Sequence, residues 1–300
     1  MWLGDGRPRM VELMQRHDTT PNGMVWLITG CSAGLGRALA EQVLAAGDLV
    51  AVTARGLDTV RDIVRRFPDQ ALALSLDVTS DDSVTDAIDA AQQHFGRIDV
   101  VVNNAGYGYL AAIEEGDESQ VRDLFDTNVH GVTRVLKAVL PSMRERRFGR
   151  VVNVSSFGGL AAFAATGYYH ATKFALEGMS ESLAAELGPL GIAVTIVEPG
   201  GMRTNWAGSS MKQSATVIDD YAATAGQRRA STLAVSGKQP GDPRRAADAI
   251  IEVVRRDGPP LRLLLGSDAL AGARARLMRL SDEIGSNESL TRSADMQAAS

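Results

Sequence analysis

Tyr169 and Lys173 are the pair of side chains in this 300-residue sequence whose spacing most directly suggests chemistry. Residues four apart on a helix share a face, and an ammonium beside a phenol lowers the phenol pKa, which makes the hydroxyl usable as an acid or base near neutral pH. Ser156, thirteen residues before Tyr169, supplies a hydroxyl that could hold a substrate oxygen against the phenol. Such pairs also occur by chance in many helices, so the surrounding motifs decide their meaning.

A glycine-rich segment follows the first apolar run of the chain, Met24–Thr29. Residues 29–36 are Thr-Gly-Cys-Ser-Ala-Gly-Leu-Gly. Such glycines let the backbone approach a pyrophosphate closely, and the N-terminus of the next helix offers free N–H groups. The segment therefore predicts a site for a phosphate-bearing cofactor, although a purely structural turn is the alternative. The predicted contacts are Gly30, Ser32, Gly34, Leu35 and Gly36.

Strand-like and helix-like segments alternate along the chain and must position these side chains. The predicted strands are 24–29, 49–53, 71–76, 98–102, 150–154, 192–197 and 261–265, and the predicted helices are 35–46, 57–66, 81–95, 119–146, 168–187 and 243–255. Strands that alternate with helices of this length form a parallel sheet with right-handed crossovers. The sequence therefore predicts an α/β fold, a Rossmann-like doubly wound parallel sheet of about seven strands with helices on both faces.

Arg55, directly after Ala54 at the end of the second strand, bears on which dinucleotide such a fold would bind. An acidic residue at this place binds the ribose 2′-hydroxyl of NAD, whereas an arginine pairs with the 2′-phosphate of NADP. Ala54 is not acidic, and Ser32 can also donate to that phosphate. We therefore predict NADP(H) as the preferred cofactor, with NAD(H) as the alternative. A solvated loop arginine is the other interpretation of Arg55.

Further residues follow other strands at the edge where a doubly wound sheet binds its ligand. They are Asp77 and Val78 after the third strand, Asn103, Ala105 and Gly106 after the fourth, and Pro199 and Gly200 after the sixth. A plain turn is the alternative for the last two runs, since Asn, Gly and Pro are common turn residues. Their shared position at strand ends predicts contacts with the same cofactor.

These motifs, taken in order, resemble the single-domain branch of the short-chain dehydrogenase/reductase family. The motifs are Thr29-Gly30-x3-Gly34-x-Gly36, Asn103-Asn104-Ala105-Gly106, Asn128, Ser156, Tyr169-x3-Lys173 and Pro199-Gly200-x3-Thr204. The resemblance covers about Val25 to Thr204, with a tail similar to that of the family to about Leu265. It implies an enzyme that transfers a hydride between a nicotinamide and a carbonyl or secondary alcohol.

The resemblance also implies a role for each catalytic residue. Tyr169 would donate or accept the proton, and Ser156 would orient the substrate oxygen. Lys173 would lower the Tyr169 pKa and bind the ribose, while Asn128 would hold a water that links Lys173 to solvent.

The turn after the sixth strand contacts the nicotinamide carboxamide in this family, which implies contacts from Met202 and Thr204. One position departs from the family pattern. Many NADP-preferring members carry a basic residue where this chain has Ala33. NADP selection therefore depends on Arg55 and Ser32.

The substrate side is expected to form from the segments after Gly106, Ser156 and Thr204. They contain Tyr107, Tyr109, Leu110, Phe157, Leu160, Phe163 and Trp206, although many of these side chains could instead pack in the core. Apolar side chains near a few polar groups predict a mostly apolar ketone, aldehyde or secondary alcohol. A non-catalytic NADP(H)-binding regulatory or scaffold protein is the alternative function. An isomerase or dehydratase would normally have a larger C-terminal domain.

The chain is predicted to hold one catalytic domain. Residues 1–23 are expected to form a flexible extension, 24–270 a Rossmann-fold domain, and 271–300 a C-terminal tail with a helix over Leu277–Ile284. Within the domain, residues of about 205–241 show no strand or helix periodicity, which predicts an irregular substrate loop.

Composition limits the partners and the compartment. The net charge of −5 argues against a nucleic-acid-binding surface. The sequence has no uninterrupted apolar run long enough to predict a membrane-spanning segment. The single cysteine, Cys31, gives no sign of an oxidising compartment. We therefore expect a cytoplasmic protein that acts on a small molecule, and the family resemblance implies a homodimer or homotetramer.

Overall fold

A computed structural model describes residues 23–204, 206, 208 and 211–296 of the chain. The predicted extension, apart from Gly23, lies outside the described residues. Residues 297–300 of the predicted tail and residues 205, 207, 209 and 210 of the predicted substrate loop lie outside them as well.

Seven parallel strands of the described residues form one sheet. They are β1 (Val25–Ile28), β2 (Leu49–Ala54), β3 (Ala71–Ser75), β4 (Val100–Asn103), β6 (Gly149–Val154), β7 (Ile192–Pro199) and β9 (Arg262–Leu265). Their order, β3-β2-β1-β4-β6-β7-β9, places β1 beside β4, where the direction of strand addition reverses. Two short strands, β5 (Gly108–Leu110) and β8 (Met211–Gln213), pair in parallel outside this sheet. The predicted Rossmann-like fold is confirmed.

Helices cover both faces of the sheet. They are α1 (Gly34–Ala45), α2 (Arg61–Arg66), α3 (Asp81–Phe95), α4 (Glu118–Phe125), α5 (Gly131–Arg146), α6 (Gly167–Leu187), α7 (Gln227–Ala234), α8 (Pro243–Val254), α9 (Ser267–Ser286) and α10 (Glu288–Arg292). Within the described part of the chain, none of these helices is both long enough and apolar enough to span a bilayer.

Alternate residues of β1 enter two different cores, as the two-residue period of a strand requires. Trp26 and Ile28 pack with α1 and α8, where Leu39 is one of the fully buried partners. Leu27 points the other way and packs with Ile88 of α3 and with residues of α5 and α6. Because both faces are covered, β1 is apolar throughout and holds the following glycine turn against a rigid support.

Two long helical segments differ in detail from their predictions. The predicted helix 57–66 is divided into a 3₁₀ turn, Leu57–Thr59, and α2. The predicted helix 119–146 is continuous from α4 to α5, but it passes through a π-helical turn at Asp126–His130. π-Helical turns often occur at functional sites, and this one contains Asn128.

The segment after Thr204 is more regular than its sequence predicts. It contains β8, a 3₁₀ turn at Asp219–Tyr221 and α7, so the prediction of an irregular segment over 205–241 is wrong for these elements. The folded structure of this segment depends on contacts with distant residues, because β8 pairs with β5 and Met211 packs beside Leu110. Local sequence patterns do not encode such contacts.

The predicted boundary between the domain and its tail falls inside α9. The N-terminal turns of this helix are anchored by Ala269 and Ala273, which are buried. The predicted helix Leu277–Ile284 forms the next part of α9. The first part of the predicted tail therefore continues an element that is packed on the domain.

Glu115 fixes the segment that contains β8 and α7 to the body of the protein. Its carboxylate is 3% exposed and accepts hydrogen bonds from the backbone N–H groups of Ala112 and Ile218 at 2.9 Å each. It also forms an ion pair with Arg229 of α7 at 2.5 Å. Removing one partner of a buried ion pair leaves the other charge uncompensated, which is strongly destabilising.

We expect Glu115→Ala to lower the free energy of unfolding by about 3 kcal/mol, because it leaves Arg229 and two amides without their acceptor. Urea denaturation followed by circular dichroism measures this change. Glu118→Ala is the matched control, since Glu118 is 86% exposed and pairs with Arg122 on its own helix. A loss equal to that of the control would contradict the assigned role of Glu115.

Candidate active site

One large cavity lies at the carboxyl edge of the sheet and has a volume of about 1070 Å³. The predicted site residues that line it are Gly30, Ser32, Gly34, Leu35, Arg55, Asp77, Val78, Ala105, Gly106, Ser156, Tyr169, Lys173, Pro199, Gly200, Met202 and Thr204. The carboxyl ends of parallel strands meet at this edge, which brings together segments that are far apart in the sequence. Gly36, Asn103 and Asn128 do not line the cavity.

Tyr169 lies near the start of α6 and is 6% exposed. The Ser156 hydroxyl lies close enough to its phenol to influence the phenol pKa, and the Ser156 Oγ accepts a hydrogen bond from the Gly158 N–H at 3.0 Å. Burial raises the pKa of Tyr169 to about 12, although the neighbouring Ser156 hydroxyl acts to lower it. The phenol is therefore held in its neutral form, with a second hydroxyl beside it.

Lys173 lies one helical turn after Tyr169 and is also 6% exposed. Its Nζ donates a hydrogen bond to the Val154 carbonyl at 2.8 Å and lies 5.7 Å from the centroid of the Tyr169 ring. Burial lowers the pKa of Lys173 to about 8, while the Glu177 carboxylate raises it. The predicted lowering of the Tyr169 pKa by Lys173 stays a prediction, because burial dominates the Tyr169 pKa in this structure.

Asn128 is held in the π-helical turn by three side-chain hydrogen bonds. Its Oδ1 accepts from the Tyr107 N–H at 3.1 Å, and its Nδ2 donates to the Tyr107 carbonyl at 3.0 Å and to Thr172 Oγ1 at 3.1 Å. The amide thus ties the segment after Gly106 to α6. Its predicted role in holding a water stays a prediction.

The glycine turn has the backbone geometry that a phosphate site needs. Gly30 and Gly34 have φ values of 75° and 63°, which side-chain-bearing residues rarely adopt. A Cβ on Gly36 would collide with the Asn104 side chain and the Gly30 carbonyl. α1 begins here with no side-chain cap and no acidic residue in its first turn. Its N–H groups therefore remain available to a pyrophosphate.

Asn104 supports this turn, although the sequence analysis gave it no role of its own. Its Nδ2 donates to the carbonyls of Thr29 and Gly30 at 2.8 and 3.1 Å. The Asn103 side chain donates to Asn153 Oδ1 at 2.8 Å between β4 and β6, and its predicted contact with the cofactor stays a prediction. The side chains of a strand alternate between opposite directions, so the two neighbouring asparagines cannot share one role.

The end of the cavity beyond the glycine turn is lined by Arg55, Asp77 and Ser32. Asp77 Oδ1 accepts hydrogen bonds from the N–H and Oγ1 of Thr79 at 3.0 and 2.7 Å, which lower the pKa of Asp77. Arg55 is exposed and lies close enough to Asp77 to contribute to that lowering. Its guanidinium is therefore at the cavity rim and open to an anionic group.

Asp268 supports the turn after β7 and was not identified from the sequence. Its Oδ2 accepts a hydrogen bond from the Gly201 N–H at 2.7 Å. A Cβ on Gly200 would collide with this carboxylate, so the glycine permits the close contact. Because Asp268 follows β9, at the far end of the chain, only its position in the folded sheet reveals the contact.

The predicted substrate residues divide into two groups. Tyr107, Phe157, Phe163 and Trp206 line the cavity, with the Trp206 ring centroid 5.1 Å from that of Tyr169. Tyr109 and Leu110 are buried in packing clusters instead, and Leu160 does not line the cavity. His170 lines it as well, but both of its ring nitrogens are occupied, by Gly158 O at 2.8 Å and Thr166 Oγ1 at 2.6 Å.

The short chain dehydrogenase family model matches residues 24–215, which contain both the glycine turn and the Tyr169–Lys173 helix. The chain belongs to this family. The predicted enzyme class, an NAD(P)-dependent oxidoreductase acting on CH–OH groups, is confirmed by this membership.

Two curated relatives are similar over most of their length. Oxidoreductase BOA17 of Botryotinia fuckeliana is 42% identical over 86% of this chain and 95% of its own. A 3-ketodihydrosphingosine reductase of Bacteroides thetaiotaomicron is 35% identical over 80% of this chain and 87% of its own. The names of both relatives describe oxidoreductases.

Two solved structures have the same fold. A short-chain dehydrogenase from Streptomyces avermitilis is 44% identical, with a TM-score of 0.87 over 92% of this chain and 100% of that one. An alcohol dehydrogenase from Thermococcus sibiricus, complexed with 5-hydroxy-NADP, is 26% identical, with a TM-score of 0.66 over 81% of this chain and 95% of that one. A nicotinamide cofactor is therefore supported for this fold.

Burying a charged lysine costs stability, and Lys173→Met tests this cost. Below about pH 8 the folded protein holds the buried ammonium, and the cost disappears as the pH rises toward the ordinary lysine value of 10.5. We expect the variant to gain about 2 kcal/mol in free energy of unfolding at pH 6.5, with a smaller gain at pH 9.5. Urea denaturation at the two pH values measures the difference.

The control for this measurement is Lys137→Met, because Lys137 is an exposed lysine on α5. Its free energy of unfolding should change by less than about 0.5 kcal/mol at either pH. A Lys173→Met protein that is less stable than the parent at pH 6.5 would show that the ammonium is well compensated in the fold.

Proposed function

We propose that the protein is an NADP(H)-preferring oxidoreductase that interconverts a mostly apolar carbonyl compound and its secondary alcohol. The observation that carries the proposal is that Tyr169 and Ser156 lie together on the wall of a cavity that extends to the glycine turn. One continuous space thus contains a proton-transfer group at one end and a phosphate site at the other. Lys173, one turn from Tyr169, completes the set.

The residues around the cavity fit a nicotinamide dinucleotide. The uncapped N-terminus of α1 and the two glycines with positive φ suit the pyrophosphate. Arg55 at the rim would pair with a 2′-phosphate, and Ser32 would donate to the same group. Met202 and Thr204 would contact the carboxamide, with the turn held by Asp268. Of these contacts, those of Arg55 and Ser32 support NADP(H) over NAD(H), because the two cofactors differ only at the 2′-phosphate.

The proposed mechanism assigns the proton to Tyr169. The cofactor would supply or accept the hydride at the carbonyl carbon. In the reductive direction Tyr169 donates its phenolic proton to the carbonyl oxygen, and Ser156 donates a hydrogen bond that stabilises the charge developing on that oxygen. The neutral phenol of this structure is the form that this direction requires.

Lys173 and Asn128 are proposed to prepare Tyr169 for this step. The Lys173 ammonium would hold the ribose hydroxyls and stabilise the phenolate that remains after proton donation. Asn128 fixes the Tyr107 segment against α6 and would hold a water on the path from Lys173 to solvent. The low pKa of Lys173 favours such proton exchange near neutral pH.

Aromatic side chains around Tyr169 support an apolar substrate. The Phe157 and Phe163 ring centroids lie 5.7 Å apart, and Trp206 packs against Tyr169 from another side. The Bacteroides thetaiotaomicron relative is named as a reductase of a keto compound, 3-ketodihydrosphingosine. The homodimer or homotetramer and the cytoplasmic location stay predictions that follow from the family and the composition.

We expect Tyr169→Phe to lower kcat for NADPH-dependent ketone reduction by about 10³-fold, because the phenolic proton is lost while the ring is kept. NADPH absorbance with a panel of aliphatic, aromatic and steroid-like ketones measures the rate. Tyr168→Phe is the matched control, since its hydroxyl donates to the Ile113 carbonyl instead. Equal rates for the Tyr169→Phe and parent proteins would exclude Tyr169 as the proton donor.

We expect Arg55→Asp to weaken NADPH binding by roughly 30-fold, because a charge-assisted contact to the 2′-phosphate becomes a repulsive one. NADH binding should stay the same or improve, since a carboxylate can accept from the ribose hydroxyl. Fluorescence titration with both cofactors measures the two affinities. Arg61→Asp, an exposed arginine on the next helix, is the control. Equal NADPH and NADH affinities in the parent protein would overturn the NADP preference.

A further inference from the structure

Helix α7 presents one side of its surface to the cavity. Arg228, Ser231, Thr232 and Val235 all line the cavity. Their spacing is that of one face of an α-helix, so the contact is made by a continuous stripe of side chains. The stripe adds a charged group and hydroxyls to a space that is otherwise aromatic near Tyr169. The substrate wall is therefore not uniformly apolar.

The Arg228 guanidinium is placed by aromatic contacts that connect it to the catalytic helix. It lies over the Phe163 ring, 5.0 Å from the centroid. The Phe163 centroid is 5.4 Å from that of His170, whose ring is 5.7 Å from the Tyr169 ring. The Arg228 charge reaches this region, since it adds to the burial that lowers the His170 pKa.

Arg228 forms no ion pair within the part of the chain that the structure describes. The next residue, Arg229, by contrast forms an ion pair with Glu115 at 2.5 Å. Two acidic side chains that line the cavity bind elsewhere: Asp126 pairs with Arg134, and Asp268 accepts from Gly201. The Arg228 guanidinium therefore keeps its planar set of donors for a ligand.

We propose that Arg228 binds a carboxylate on the substrate, so that the substrate is an apolar carbonyl compound or alcohol with an acid group at its outer end. Arg228 is exposed at the cavity mouth, whereas Tyr169 is 6% exposed. The acid group thus stays partly hydrated while the apolar body enters past Phe163. A guanidinium stacked on a ring offers its edge to a carboxylate with two parallel hydrogen bonds. This inference rests on the proposed function.

The test compares an acid with its uncharged analogue of the same shape. 4-Phenylbutyrate and 4-phenylbutanamide are titrated into the full-length protein by calorimetry, with and without saturating NADP⁺. We expect the carboxylate to bind about tenfold more tightly than the amide. Arg228→Gln should remove this preference by weakening the carboxylate alone, and Arg228→Lys should retain part of it, since a lysine keeps the charge without the paired donors.

Two control variants make the assignment specific. Lys212→Gln changes the cavity cation that lies over Tyr107, and Arg256→Gln changes an exposed arginine that pairs with Glu252. Both should keep the tenfold preference. The proposal is overturned if acid and amide bind equally, if neither binds, or if the preference survives in Arg228→Gln. Because this binding needs no turnover, failure of NADPH-dependent reduction would count against the proposed function separately.

Discussion

The site depends on the hydrogen bonds that join the ends of β1 and β4. Thr29 Oγ1 accepts from the N–H groups of Asn104 and Ala105 at 2.9 and 3.0 Å, while the Asn104 amide donates back to the Thr29 and Gly30 carbonyls. These bonds satisfy backbone groups at the edge where the two strands diverge. They fix the position of the glycine turn, and therefore of the N-terminus of α1, relative to the rest of the cavity.

A second constraint is burial of the ionisable pair. Tyr169 and Lys173 are both removed from solvent, which penalises the charged form of each and shifts their pKa values in opposite directions. The result in this structure is a neutral phenol beside an ammonium that titrates near neutral pH. Burying these two groups lowers the stability of the fold, but shifted pKa values of this kind are typical of sites of proton transfer.

An acidic cluster that includes Glu177 lies next to the Lys173 ammonium and favours its charged form. Glu177, one turn after Lys173, and Glu198 of β7 share Arg262 of β9, which forms ion pairs with both. Burial, together with the Glu177 charge, raises the pKa of Glu198 to about 7, although Arg262 lowers it. The cluster ties α6 to the last two strands of the sheet, so the helix that bears Tyr169 is fixed along its length.

The sequence by itself determined the alternation of strands and helices, the family and most of the site residues that meet at the carboxyl edge. These features follow from local periodicity and from short motifs, which depend on neighbouring residues alone. The predicted lining residues Gly30, Ser156 and Tyr169 are of this kind.

The tertiary structure decided that Asn104, and not Asn103 at the end of β4, faces the glycine turn, and it assigned supporting roles to Asp268 and Glu115. It also showed that β8 and α7 form from a segment without a clear pattern, since β8 pairs with β5 and Arg229 of α7 pairs with Glu115. Burial, and with it the pKa values of Tyr169 and Lys173, likewise arises only when distant segments pack together. Such contacts join residues far apart in the chain, and no local pattern specifies them.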